Sequence, residues 1–292
     1  MLRHVPSRIA RWGALAIAAT VAVGSIAFAR PDGDRPAPAH PRRIISLNLC
    51  ADQYLLALAD RAQIAGLTSY STHPDMSAAA AQVRDLPVLR GSAEEVMTIN
   101  PDLIVGMPAR RSSIVSALAD QHYATLDLKP AESYAEIVVQ VRKVAAALGH
   151  VDRGEALIAR MDRELAALPR GKGRGVAAYY QRRGYLTGTG TLVDDLMNRA
   201  GLVNLAGKLG RPVLSQLSLE ELVAAKPDYL IVESATDRVT DQGTEMLHHP
   251  VLAAIPRIRL PQAWTVCGGP AYVLAARSLA EQVASHPRIA RP

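Results

Sequence analysis

Apolar residues along the chain form two kinds of run, short continuous stretches and longer stretches with helical spacing. The short stretches predict buried strands at residues 43–47, 64–67, 103–105, 124–127, 176–180 and 229–232. The longer stretches predict helices at residues 51–59, 94–99, 112–120, 133–148, 151–168, 192–200, 220–225 and 271–284. Because strands and helices alternate, we expect an α/β fold whose mostly parallel sheets are covered by helices.

One segment of this pattern occurs twice. Ser92-Ala-Glu-Glu-Val-Met-Thr-Ile-Asn-Pro-Asp-Leu-Ile-Val105 and Ser218-Leu-Glu-Glu-Leu-Val-Ala-Ala-Lys-Pro-Asp-Tyr-Leu-Ile231 share a Ser, two Glu, a Pro and an Asp in the same register. Two copies are too few for a solenoid, which needs at least three units. The repeat therefore predicts two similar lobes with a ligand cleft between them. The alternative is that both copies are ordinary helix-to-strand units of an α/β fold.

A long amphipathic helix is predicted between the two halves. Leu157, Met161, Leu165 and Leu168 form one apolar stripe, and a helix over 151–168 would reach roughly 27 Å. That length is enough to connect two lobes. We expect an N-terminal lobe at 42–150, a linker helix at 151–169 and a C-terminal lobe at 170–292.

The N-terminus predicts export. Arg3, Arg8 and Arg11 precede an apolar stretch at 12–26, and Ala27-Phe28-Ala29 supplies a cleavage site, so residues 1–29 are expected to be a signal peptide. The alternative is an uncleaved anchor. Residues 30–41, rich in Pro, Asp and Ala, predict a disordered leader. The expected location is the periplasm.

Composition narrows the possible functions. The formal charge is +6 and becomes +3 without residues 1–29, which contain three Arg and no acidic residue. This charge is small and dispersed, so we expect no nucleic-acid partner. No Gly-x-Ser-x-Gly or His-Glu-x-x-His motif occurs, and we expect no catalytic activity.

The order of these features resembles a known family. The signal peptide, Arg43-Ile-Ile-Ser-Leu47, the Pro-Asp strand, the long central helix and the second copy of the pattern are similar to the periplasmic binding proteins of ABC importers for vitamin B12 and ferric siderophores. The resemblance covers residues 42–287 and is greatest to the vitamin B12-binding members. These share a Ser-Tyr-Ser-x-x-Pro loop, here 69–74, and a Trp loop before the last helix, here 264–270.

The resemblance implies a fold, a partner and a cargo. It implies two α/β lobes joined by one rigid helix, a monomer without a cofactor of its own, and a cobalamin-type corrinoid or a ferric siderophore as the ligand. It also implies that Glu94 and Glu220, one on each lobe, dock onto Arg residues of an ABC permease. The alternative for these two residues is a local role, since carboxylates after the Ser92 and Ser218 caps favour the positive end of a helix.

Candidate ligand-binding residues follow the strands, because ligands of open α/β sheets bind beyond the carboxyl ends of strands. Tyr70 and Trp264 match aromatic positions of the vitamin B12-binding members, and Met107 stands where those members have a Trp. Arg182 could pair with an anionic siderophore or be a solvated loop residue. The full predicted set is Asn48, Cys50, Tyr70, Met107, Tyr180, Arg182, Trp264 and Cys267.

The two cysteines allow three interpretations. Cys50 and Cys267 could form a disulfide across the cleft, line the pocket as free thiols, or bind the metal centre of a ligand. They also support the alternative function, an exported metal- or cofactor-handling enzyme or chaperone that uses this pair.

Overall fold

The structure is a computed structural model that describes residues 38–109, 112–118, 121–169 and 175–285. The predicted signal peptide, and the predicted leader as far as residue 37, lie outside the described residues. None of the helices in the described ranges has the length and apolar character that crossing a lipid bilayer requires.

The first lobe contains a parallel sheet of four strands. Its strands are β1 (Ile44–Ser46), β2 (Ile64–Gly66), β3 (Leu103–Gly106) and β4 (Thr125–Asp127), in the order β2-β1-β3-β4. Its helices are α1 (Leu49–Leu58), α2 (Ala93–Ile99), α3 (Ser113–Ala117) and α4 (Tyr134–Leu148). Strands β1 and β3 are buried along their whole length, as expected for a sheet covered on both faces.

After the helix α5 (Val151–Ala166), a second lobe repeats this arrangement. Its strands are β5 (Gly175–Tyr179), β6 (Tyr185–Thr187), β7 (Leu202–Asn204), β8 (Leu214–Gln216), β9 (Tyr229–Glu233) and β10 (Arg257–Leu260). Its helices are α6 (Leu192–Arg199), α7 (Leu205–Lys208), α8 (Leu219–Ala225), α9 (Gln242–Glu245) and α10 (Tyr272–Ser285). The parallel strands have the order β7-β5-β9-β10, while β6 and β8 pair as a separate antiparallel ribbon. In both parallel sheets the strand that comes first along the chain lies between the second and the third, so the prediction of two similar lobes is confirmed.

The repeated Pro-Asp fixes the third strand of each sheet to the first. The Asp102 carboxylate accepts hydrogen bonds from the backbone N–H of Arg42 and Arg43, at 2.8 and 2.9 Å. In the second lobe Asp228 accepts one from the backbone N–H of Val176 at 2.7 Å. The same side chain therefore sets the same strand register in both lobes.

The helix of each repeat also begins and ends in the same way. The hydroxyls of Ser92 and Ser218 each accept a hydrogen bond from the N–H of the third helical residue. Asn100 and Lys226 end α2 and α8 in the left-handed conformation, with φ of 48° and 47°. The local signals of the repeat thus produce two matching helices.

Helix α5 joins the lobes and was predicted two residues longer, to residue 168. Its apolar stripe packs against α4 and α10, and a Cβ on Gly154 would lie 2.6 Å from the Cβ of Ala145, so α4 and α5 approach closely there. One face of each parallel sheet and the buried side of α5 form one continuous hydrophobic cluster, whereas the opposite faces of the two sheets belong to two separate clusters. The lobes therefore share a core, and the domain boundaries at residues 150 and 169 stay predictions.

Candidate functional site

A pocket of about 470 Å³ opens at the carboxyl ends of β1 and β2. Most of its wall comes from the first lobe, and Val266 and Cys267 contribute the side of the second lobe. The residues that line it are Ser46, Leu47, Asn48, Leu49, Cys50, Thr68, Ser69, Tyr70, Met76, Leu89, Arg90, Gly91, Ile114, Val266 and Cys267. The pocket therefore lies at the edge of the first sheet where the strand-end rule predicts a ligand site.

The loop after β1 forms the floor of the pocket and starts α1. The Asn48 side chain accepts a hydrogen bond from the N–H of Ala51 at 3.0 Å and so caps α1. The first turn of α1, including Cys50, consequently faces the pocket. Asn48 was predicted as a ligand-binding residue, and it also has this structural role.

The loop after β2 contains Tyr70, and a buried carboxylate forms hydrogen bonds with a residue near the start of this loop. Asp52 has no exposed surface and accepts hydrogen bonds from the N–H of Thr68, at 3.0 Å, and from its hydroxyl. Burial raises the pKa of Asp52, although the hydrogen bonds from Thr68 act in the opposite direction. Tyr70 follows in a short helical turn and keeps 58% of its surface exposed, so its ring is available to a ligand.

A third wall segment, residues 89–91, lies beside the start of α2. The backbone N–H groups of Arg90 and Gly91 donate to the Glu95 carboxylate, at 2.8 and 3.2 Å. Leu89 is buried and its N–H donates to the carbonyl of Leu67 at 2.7 Å, which sets this segment beside β2. Sequence analysis missed these residues, because no predicted strand precedes them.

The two cysteines form a disulfide between the lobes. The Cα atoms of Cys50 and Cys267 lie 5.4 Å apart although 217 positions separate them in sequence. Of the three interpretations, the structure selects the disulfide, and the free-thiol and metal-ligand interpretations are wrong for this oxidised form. The bond still lines the pocket, as predicted for both residues.

Contacts next to the disulfide hold the lobes close together. The Tyr54 hydroxyl of α1 donates to the Gly268 carbonyl at 2.7 Å. A Cβ on Gly268 would lie 1.9 Å from the Ala131 carbonyl oxygen, so only glycine allows this approach. The pocket is therefore bounded by a covalently fixed and closely packed joint.

Four predicted ligand-binding residues lie outside the pocket. Tyr180 is fully buried in the second lobe, where its hydroxyl donates to the Leu217 carbonyl at 2.7 Å, so its predicted place in the cleft is wrong. Arg182 is exposed and forms an ion pair with Asp241. Met107 and Trp264 are half-buried and pack against the hydrophobic cluster that the lobes share.

Sequence analysis also missed a polar pair at the strand ends of the second lobe. The Tyr179 hydroxyl donates to Glu233, the last residue of β9, at 3.3 Å. Burial raises the pKa of Glu233, while this hydrogen bond and the nearby Arg182 act to lower it. The only available signal was the position of Glu233 directly after four buried strand residues.

The two glutamates in each copy of the repeat differ in their surroundings. Glu95 and Glu221 are bound locally, Glu95 to the pocket wall and Glu221 to the Ser218 backbone and Arg211. Glu94 and Glu220 are exposed, and neither forms an ion pair within the described part of the chain. The second glutamate of each pair thus stabilises its own lobe, and the first has a carboxylate that faces solvent.

Comparison with known proteins places this chain in a family. A family model for periplasmic binding proteins matches residues 44–259. The cobalamin-binding protein of Halobacterium salinarum is 23% identical over 74% of this chain, and the match spans 61% of the length of that relative. The vitamin B12-binding protein of Pectobacterium atrosepticum is 23% identical, and the match covers 84% of this chain and 89% of that relative.

A solved structure agrees with these relatives. The periplasmic heme-binding protein RhuT of Roseiflexus sp. RS-1, in its apo form, has a TM-score of 0.63 at 26% identity, with 82% of this chain and 98% of that protein covered. The family model extends from β1 to β10 and so spans both parallel sheets and the linker helix. The chain therefore belongs to the periplasmic binding protein family.

Proposed function

We propose that this protein is the periplasmic substrate-binding component of an ABC importer, and that it captures a tetrapyrrole metal chelate, either a cobalamin-type corrinoid or heme. The observation that carries the proposal is the pocket at the carboxyl ends of β1 and β2, with the exposed ring of Tyr70 in its wall. An aromatic face and an apolar wall suit a flat macrocycle.

The names of the relatives support a tetrapyrrole as the ligand more than a ferric siderophore. Their names specify cobalamin, vitamin B12 and heme. A ferric siderophore would use the same pocket and is the second candidate. The alternative of an exported enzyme or chaperone loses its main support, because Cys50 and Cys267 form a disulfide and offer no thiol.

The proposed mechanism is binding and release, without a chemical step. The disulfide, the shared core and α5 connect the lobes, and they favour a preformed pocket over a large closing movement. Glu94 and Glu220, at equivalent places on the two lobes, would dock a monomer onto matching Arg residues of the permease.

The test is a titration of the mature protein with cyanocobalamin, ferric protoporphyrin and a ferric catecholate siderophore. We expect saturable binding of one tetrapyrrole with a Kd on the order of 1 μM or tighter, measured by calorimetry and by quenching of tryptophan emission. The Trp264→Phe variant identifies the emitting residue. Saturable binding of the siderophore alone would replace the proposed cargo, and binding of none of the three would refute the tetrapyrrole assignment.

A further inference from the structure

Arg90 is distinctive among the residues of the pocket. Of the described residues that line it, Arg90 alone has a charged side chain. Arg90 is exposed and forms no ion pair within the described ranges of the chain. Its guanidinium is therefore available to a group that enters the pocket.

The backbone of Arg90 is fixed even though its side chain is free. Glu95 accepts the N–H groups of Arg90 and Gly91, and Gly91 has a φ of +87°, which suits glycine and sets the turn into α2. On the other side, Leu89 is anchored in a hydrophobic cluster of the first lobe. An arginine with a fixed backbone loses less freedom on binding than one in a mobile loop.

The groups around the pocket favour negative charge in a ligand. The first turn of the ten-residue helix α1 lines the pocket, and its positive end adds to the charge of Arg90. Two carboxylates are hydrogen-bonded to residues of the pocket wall, and the exposed Asp75 and Glu94 do not line the pocket. Asp52 is buried and bound to Thr68, and Glu95 is bound to backbone amides.

We propose that Arg90 binds an anionic group of the cargo, so that the pocket prefers a chelate with peripheral carboxylates over its neutral amide or ester. The inference rests on the proposed function, in which this pocket holds the cargo. Guanidinium and carboxylate match in geometry and form short charge-assisted hydrogen bonds. A macrocycle that carries carboxylates at its edge would place its apolar face on the wall near Tyr70 and its edge at Arg90.

The experiment compares each ring in its acidic and its neutral form. The probes are ferric protoporphyrin and its dimethyl ester, and dicyanocobyrinic acid and dicyanocobinamide. They are titrated into the wild-type protein and the variants Arg90→Gln, Arg90→Lys and Arg84→Gln. Arg84 is an exposed arginine outside the pocket and serves as the matched control. Thermal melting verifies that each variant is folded.

For the ring that binds, we expect the acid to bind about tenfold more tightly than the neutral form, the scale of one charge-assisted contact. Arg90→Gln should remove this preference, Arg90→Lys should keep part of it, and Arg84→Gln should leave it unchanged. Equal affinity for the acid and the neutral form, or a preference that survives in Arg90→Gln, would overturn this inference and leave the proposed function intact. Failure of all four probes to bind the wild-type protein would overturn both.

Discussion

Tyr70 presents an exposed aromatic ring in the pocket wall, and hydrogen bonds from Thr68 to Asp52 fix the loop that contains it. We predict that Tyr70→Ala weakens binding of the cognate chelate by about 1–3 kcal/mol, because a stacking surface is lost. Calorimetry measures the change. Tyr185→Ala, at an exposed tyrosine outside the pocket, is the control and should bind normally. Equal affinity of the two variants would exclude Tyr70 from the binding surface.

The buried carboxyl group of Asp52 should make the free energy of unfolding depend on pH. Its pKa is raised from 3.8 mainly by burial, so the folded state holds the proton more tightly than the unfolded chain does. The resulting contribution to stability is complete below the unfolded value and is lost as the pH rises through the raised value. Asp52→Asn lacks this titration. The free energy of unfolding of Asp52→Asn relative to wild type should therefore increase from about pH 4 to about pH 7 in urea denaturation. A difference that is constant or decreases over this range would contradict the prediction.

At the scale of elements, the disulfide connects the start of α1 to the loop before α10. It closes a long loop, since its cysteines have a sequence separation of 217, and it restricts the unfolded chain. We predict that Cys50→Ser/Cys267→Ser loses about 2–5 kcal/mol of stability and binds its ligand more weakly.

Thiol titration provides the independent check on the disulfide. The denatured wild-type protein should show no free thiol before reduction and two afterwards. Reductant should lower the melting temperature of the wild type and leave that of the double variant unchanged. Two reactive thiols in the denatured, unreduced protein would refute the bond.

Helix α2 is joined to the pocket wall, whereas its counterpart α8 is not. Glu95 holds Arg90 and Gly91, which line the pocket, but Glu221 holds the Ser218 backbone and Arg211, which do not. We predict that Glu95→Ala lowers ligand affinity several-fold by releasing the wall, on the scale of one hydrogen bond to a charged group.

The duplicated counterpart supplies the matched control for Glu95. Glu221→Ala removes an equivalent carboxylate from the first turn of α8 and should leave the affinity unchanged. Calorimetry on both variants, with thermal melting to confirm folding, makes the comparison. Equal losses of affinity would show that the effect is general destabilisation.

At the scale of the whole molecule, the two lobes present equivalent exposed glutamates. We predict that Glu94→Ala/Glu220→Ala keeps normal ligand affinity but sharply reduces uptake in cells, because two charged contacts with the permease are lost. The loss of permease binding should be larger at low salt than at high salt, since screening already weakens these contacts at high salt. Glu281→Ala, at an exposed carboxylate on α10, is the control. Normal uptake by the double variant would refute the docking role.

Features that depend on local signals could be predicted from the sequence. The alternation of apolar runs predicted the α/β class, and the repeated Ser, Pro and Asp predicted two matching helix–strand units, which share the same caps and strand contacts. Asn48 and Tyr70 could be predicted to lie at the pocket, because each follows a predicted strand and the end of a strand can be read directly from the sequence. Strands β6, β7, β8 and β10 were not predicted; β10, for example, alternates arginine with apolar residues and so contains no continuous apolar run.

Residues that are distant in sequence come together through the packing of the folded chain, for which the sequence contains no local signal. The pairing of Cys50 with Cys267, the burial of Tyr180 and the place of Arg90 in the same pocket as Tyr70 all depend on how the lobes and their loops pack. Sequence periodicity indicates which face of an element is apolar, but it contains no distance between elements. Residues such as Cys50 and Cys267 therefore become neighbours only when the shared core fixes one lobe against the other.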